Sequence, residues 1–376
     1  MLGIGHCRNN LGLMWATLKS LLPGRADYSA LPRTWKSDLL AGLTVGIVAL
    51  PLALAFGVSS GVGAEAGLIT AVVAGFIAAV FGGSNVQVSG PTGAMVVVLA
   101  PIVASHGAGS VIIVGLMAGV IVLLLGLFRL GRSVSFIPWP VIEGFTLGIA
   151  IIIFVQQIPA AVGSPKFTES TNAVISGFNA IFAANVDLAL WSLGAVLIVA
   201  LIMVVTPKFI PVVPGSIIGI IVITVVAELT GSPLVRIGEL PNSLGLPAFP
   251  DIAGVNLGEL IVPAIAVAAL AAIESLLSAR VAASMANTGV FNPDRELVGQ
   301  GLASVGSALF GGMPATGAIA RTAVNVRSGG KTRMASIVHA AVLHGVVYLA
   351  TGPVSRIPLA ALAGVLMVTA VRMVPS

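Results

Sequence analysis

Two stretches of this chain are versions of each other, and both put backbone chemistry where an apolar span should run unbroken. Residues 81–94 read FGGSNVQVSGPTGA and residues 310–318 read FGGMPATGA. Pro91 has a fixed φ and no N–H, so it suits the first turn of a helix. Gly90 and Gly93 allow backbone and ligand to approach closely, and Ser89 and Thr92 add hydroxyls. A helix that starts at such a break inside a membrane aims free N–H groups, with about half a unit of positive charge, at whatever fills the cavity. Taken alone, residues 89–95 are explained equally by a proline kink in a continuous helix. The second copy at 314–318 favours two broken helices whose N-termini meet, the arrangement that marks the binding site in inverted-repeat transporters. That geometry suits a small anion.

Three further side chains bear on the same place. Glu274 lies in AVAALAAIESLLSARVA, deep in an apolar span, where an ionised carboxylate costs about 2.5–3.5 kcal/mol. Ser278 follows one helical turn later on the same face. Glu274 and Ser278 would hold Na⁺ together with freed backbone oxygens such as that of Gly317. Alternatively, Glu274 takes a proton alone, or pairs with Arg280 or Arg321 for packing. Arg321, one turn beyond Gly317 in TGAIART, would add a full positive charge to the anion site; the alternative is an arginine snorkelling at the interface. Phe56 would wall the cavity, or face lipid. His339 and His344 read as buried, hydrogen-bonded histidines rather than proton relays.

The charge balance sets the substrate class. Two helix ends supply roughly +1 and Arg321 one more, while an ionised Glu274 cancels one. The remaining charge of about +1 favours a monovalent anion. Neutralising Glu274 with H⁺, or countering it with Na⁺, raises the site to about +2 and admits a second negative charge.

The elements that position these residues follow from composition. The 376 residues are 57% hydrophobic and 8% charged, with a mean hydropathy of +1.09. Apolar runs of membrane-crossing length recur, which predicts an all-α polytopic membrane protein rather than a β-barrel of short alternating strands. The reading gives about twelve spans: 38–58, 66–82, 88–104, 109–128, 140–158, 188–206, 210–229, 257–280, 296–311, 314–326, 333–351 and 357–373. The third and tenth are the broken ones. Gly42 with Gly46, Gly115 with Gly119 and Gly215 with Gly219 stand at the spacing for close helix packing.

With the N-terminus placed in the cytoplasm, all of the 18 Lys and Arg except Lys166, Arg236 and Arg356 fall inside, as the positive-inside rule requires. This accounts for the sequence pI near 9.9 without a nucleic-acid partner. Residues 11–22 read as an amphipathic helix on the inner leaflet. The longer outer connections, about 159–187 and 230–256, read as ordered loops. Cys7 is the sole cysteine, which excludes an intrachain disulfide. No P-loop, nucleophile elbow or zinc-ligand cluster is present, so neither an enzyme nor a cofactor is expected.

These residues resemble the SulP family, the sulfate-permease-like anion transporters of solute carrier family 26. The resemblance rests on LAGLTVGIVALPLALAFG, the SGPTGAMVVV segment, AIESLLSARVA, NPDRELVGQGLAS and FGGMPATGAIARTAVNVRSGGKTR, and several segments are similar to bacterial bicarbonate transporters. It implies a seven-plus-seven inverted repeat that moves like an elevator. Residues 1–37 would be the cytoplasmic N-terminal segment. A core domain would comprise 38–139 and 257–356, and a gate domain 140–256 and 357–376. The anion would sit at Gly90, Thr92, Gly93, Ala94, Thr316, Gly317 and Ala318, bound also by the Ser89 hydroxyl and walled by Phe56, with Arg321 setting the field and Glu274 taking the coupling cation.

Against the family pattern, the last two spans and the STAS domain fall outside these 376 residues. The sodium-coupled branch has Asp and Thr where this chain has Glu274 and Ser278, and a hydroxyl residue where it has Ile319. The loss of that oxygen shifts the expectation toward H⁺ coupling or exchange. The resulting expectation is secondary transport of bicarbonate, then sulfate or a dicarboxylate such as fumarate, by a homodimer in the inner (plasma) membrane. An anion channel or an uncoupled exchanger is the alternative.

Overall fold

The computed structural model describes residues 21–134, 139–164, 172–210, 214–240, 243–251, 255–285, 289 and 291–374. Cys7 and all but the end of the expected amphipathic helix at 11–22 lie outside these residues. Twelve principal helices occur among the described residues: α1 (Leu31–Ser59), α2 (Ala64–Phe81), α3 (Gly93–His106), α4 (Gly109–Leu127), α5 (Trp139–Gln156) and α6 (Val186–Phe209), then α7 (Gly215–Thr230), α8 (Leu257–Met285), α9 (Pro293–Leu309), α10 (Ile319–Arg327), α11 (Arg333–Leu349) and α12 (Leu359–Met373). Two short strands, β1 (Ser89–Gly90) and β2 (Thr316–Gly317), precede α3 and α10. Among the described residues, six helical segments are long and apolar enough to cross a membrane.

Local chemistry explains many of the boundaries. Thr92, Asn185, Asn292 and Thr332 each accept a first-turn backbone N–H and so cap α3, α6, α9 and α11, the usual role of these residue types. Three expected boundaries shift. α1 begins at Leu31 rather than near 38, with proline in its first turn, a position that proline favours. Pro91 stands outside α3 rather than in its first turn, because the Thr92 cap starts the helix at Gly93. The tenth helix begins at Ile319 rather than 314, since 316–317 are extended. The connection expected as a loop at 159–187 contains a helix, Ala173–Phe182, capped by Asn172.

The helices pack in two sets. α9 lies on α4 and α2, α11 on α1 and α2, and α8 on α4. Separately, α6 packs on α7 and α12, and α12 on α5. Small residues permit the close approaches: a Cβ at Gly42 would come within 2.6 Å of Val338 Cβ on α11, and one at Gly46 within 2.9 Å of Val342 Cβ. At Gly119 it would reach Val305 of α9 at 2.8 Å, and at Gly215 the Met203 Cα at 2.9 Å. Outward faces stay apolar, as at Leu190, Leu197 and Leu201 of α6.

Candidate functional site

The two interrupted stretches meet as an antiparallel pair. Ser89 is opposite Gly317, and Gly90 is opposite Thr316. The Ala318 N–H extends the pairing by donating to the Val88 carbonyl at 2.9 Å. Each strand leads within a few residues into a helix, so the N-termini of α3 and α10 lie on either side of one short ladder. Beyond the Thr92 cap, the amides of Gly93 and Ala94 have no intrahelical acceptor, and the first turn of α10 is in the same position. α10 has no side-chain cap at Ala318.

Glu274, on α8, faces this junction. The Thr92 hydroxyl donates to its Oε2 at 2.9 Å, and the Thr316 hydroxyl also interacts with the carboxyl. One side chain thus touches both breaks. Ser275, the next residue, is fully buried; its Oγ accepts the Gly317 N–H at 3.1 Å and its carbonyl accepts Gln87 Nε2 at 3.3 Å. Gly317 is backed so tightly by the Gln87 side chain that no Cβ fits there.

Arg321 does not snorkel. It is 2% exposed, and its Nη2 donates to the Pro91 carbonyl. Its other amino group lies against Gly90, where a Cβ would come within 2.6 Å of Nη1. Gly90 has a φ of 154°, and the absent side chain there makes room for the guanidinium. The charge of Arg321 acts on Glu274, but the two form no direct ion pair.

The other expected residues divide. Phe56 is buried beside Gly93: a Cβ at Gly93 would lie 3.4 Å from the Phe56 ring and against Ile153 of α5. Ser89 turns toward α9, where its Oγ accepts Gln300 Nε2 at 2.5 Å. Ser278 is fully buried and shares a 3.3 Å hydroxyl contact with Thr322, so the two members of the expected sodium pair engage different partners. Thr322 in turn accepts the Val88 N–H at 3.0 Å. The Ala318 amide, already bonded to Val88, serves the ladder. His339 is fully buried but, contrary to expectation, neither ring nitrogen has a hydrogen bond of normal geometry. His344 stands edge-on to Tyr348, with ring centroids 4.9 Å apart.

Sequence reasoning passed over the residues that hold the first break. Glu296 of α9, 1% exposed, accepts the N–H groups of Gly83 at 2.7 Å and Ser84 at 3.1 Å, and Gln300 Nε2 at 2.9 Å. Asn325 donates to the Val86 carbonyl at 2.7 Å and Ser336 to that of Gln87 at 2.7 Å. Arg333 donates to the Gly82 carbonyl at 2.6 Å. Arg295 joins this end to the N-terminal segment through two bonds to Asp27, at 2.9 and 2.8 Å. The signal was present: Glu296 and Gln300 are polar residues four apart, and beyond Arg295 the rest of this helix is small or apolar.

A family profile described as the Sulfate permease family matches residues 35–376. The chain is 39% identical to the putative sulfate transporter YvdB of Bacillus subtilis, over 90% of this chain and 64% of that protein. It is 36% identical to the bicarbonate transporter BicA of Picosynechococcus, over 89% of this chain and 61% of that protein. It therefore spans less than two thirds of the length of these relatives. The transmembrane domain of a cyanobacterial bicarbonate transporter BicA superimposes with a TM-score of 0.83 at 34% identity, covering 91% of this chain and 89% of that one. SLC26A9 shares the fold, with a TM-score of 0.81 at 16% identity, over 97% of this chain and 62% of that one.

Proposed function

The chain belongs to the sulfate permease family, a family of multi-pass membrane transporters, and from this premise we propose that it carries a small anion across the plasma membrane by secondary active transport. The observation that carries the reading is the pairing of Ser89–Gly90 with Thr316–Gly317, with Arg321 and Glu274 at the junction. Open first-turn amides and a buried guanidinium supply positive potential where the alternative is lipid. Bicarbonate leads as substrate, followed by sulfate and dicarboxylates. The similarity to proteins named as bicarbonate and sulfate transporters supports this order.

Glu274 is the coupling group in this reading. When ionised, it takes the Thr92 hydroxyl as donor. When protonated, a carboxyl becomes a donor itself, so the bond can reverse and release the Thr92 hydrogen toward the anion. Proton uptake would then both raise the positive charge of the site and add a donor to it. Na⁺ is the less favoured partner, because Ser278 is already engaged with Thr322. The two helix sets, α1–α4 with α8–α11 against α5–α7 with α12, correspond to a moving core and a framing gate. A cytoplasmic N-terminus and a homodimer complete the proposal.

Uptake of labelled bicarbonate, sulfate and fumarate into proteoliposomes under imposed pH and Na⁺ gradients tests it. Glu274→Gln should abolish stimulation by the gradient, and coupling that survives this change rejects the assigned role. Large unitary currents in place of carrier kinetics would instead favour an anion channel.

A further inference from the structure

We propose that His339 is a positioning residue for Arg321, linked to it through a small buried polar site that takes one water molecule. The proposal rests on the reading of Arg321 as the anion's positive partner and adds to it the group that holds the guanidinium in place. Arg321 Nη1 is buried and has no hydrogen-bond partner, although Nη2 is bonded to Pro91. His339, 0% exposed, leaves both ring nitrogens without a bond of normal geometry, and only the Ser336 carbonyl one turn back interacts with the ring.

His339 and the Ser89 carbonyl both approach Gly75 of α2, and Arg321 lies against the next strand residue, Gly90. A Cβ at Gly75 would lie 3.4 Å from the Ser89 carbonyl oxygen and 3.5 Å from His339 Cε1, and one at Gly90 would lie 2.6 Å from Arg321 Nη1. The charge of Arg321 acts on the imidazole. The nearby hydroxyls are already engaged, Ser336 with the Gln87 carbonyl and Ser89 with Gln300.

Unpaired donors and acceptors inside an apolar bundle are costly, and a bridging water is the ordinary remedy. Such a water accepts from Nη1 and donates to an imidazole nitrogen. An imidazole lone pair secures the guanidinium without cancelling its charge, which a carboxylate would do. The anion therefore keeps the full field of Arg321, held in one orientation against Gly90.

The test compares His339→Leu, His339→Gln and Arg321→Gln in the full chain, reconstituted in proteoliposomes, using labelled bicarbonate and labelled sulfate. His339→Leu should raise KM about tenfold, the scale of one lost hydrogen bond to a charged group, with kcat little changed. His339→Gln should recover most of that loss. In an Arg321→Gln background, His339→Leu should change nothing further. A folded His339→Leu protein with wild-type KM, beside an impaired Arg321→Gln, overturns this proposal alone. An unaffected Arg321→Gln overturns the anion site and the proposal with it. Should His339→Leu fail to fold, nitrogen NMR of labelled histidine in the wild-type protein decides. A hydrogen-bonded acceptor nitrogen at His339, identified by its loss in His339→Gln, supports the bridge, and a free one rejects it.

Discussion

The two breaks share a sequence pattern and pair strand to strand, yet they are held by different chemistry. The first, between α2 and α3, is gripped mainly by charged and amide side chains, with the Ser336 and Thr322 hydroxyls beside them: Glu296 on the Gly83 and Ser84 amides, Arg333 on the Gly82 carbonyl, Asn325 on Val86 and Arg321 on Pro91. The second, between α9 and α10, is held by hydroxyls. Thr70 accepts the Met313 N–H at 2.8 Å, Ser307 donates to the Met313 carbonyl at 2.8 Å, and Ser304 exchanges bonds with Ala315 at 3.2 and 3.3 Å. The first stretch is longer and exposes more unpaired backbone inside the bundle, so it needs partners with more reach. A repeated motif thus fixes where the chain breaks, while unrelated residues elsewhere fix how firmly it stays open.

That contrast can be broken at either end. The largest effect is expected at Glu296, where Glu296→Leu strands two buried amides and the Gln300 amino group. Thermal unfolding in detergent should show a loss of about 3–5 kcal/mol, and a loss below 1 kcal/mol would refute the charged grip. Thr70→Val removes a single hydroxyl from the second break, with an expected cost of about 1–3 kcal/mol. Equal losses for the two variants would erase the distinction between the breaks.

The smallest effect concerns pH. Burial raises the Asp27 carboxyl, but the Arg295 bond, the Gly24 amide and the charges of Arg333 and Arg295 together outweigh it and hold the pKa below that of a free carboxylate. A depressed carboxylate contributes stability above its unfolded-state pKa, and that contribution is lost as pH falls through the folded value. Acid unfolding should therefore begin at higher pH in Arg295→Met than in the wild type. Identical acid profiles would mean that the Asp27–Arg295 contact adds nothing to the first break.

Much of the site was legible because its signals are local. Glycine, proline and threonine in an apolar run mark a break, and an acid at Glu274 or a base at Arg321 stands out against lipid-compatible neighbours. The fold class followed from hydropathy, and the family from the motifs that surround these residues. What was not legible depends on tertiary partners. Nothing local tells Ser89 to turn toward Gln300, or Ser278 to engage Thr322 rather than stand beside Glu274. Pro91 falls outside its helix because Thr92 is the better cap, a competition that the proline alone does not reveal. His339 looks from sequence like any buried histidine, and only its neighbours show that both nitrogens lack ordinary partners.

Gly93 of α3 leaves no room for a side chain against Ile153 of α5. The ladder between Ser89–Gly90 and Thr316–Gly317 stitches both halves of the chain into one cassette, so the helix ends cannot part without tearing it. Where α3 meets α5, the seam at Gly93 is hydrocarbon against bare backbone, with little for either surface to catch on. A methyl at position 93 would act as a wedge in that seam, overlapping the Ile153 side chain while leaving the cassette itself whole.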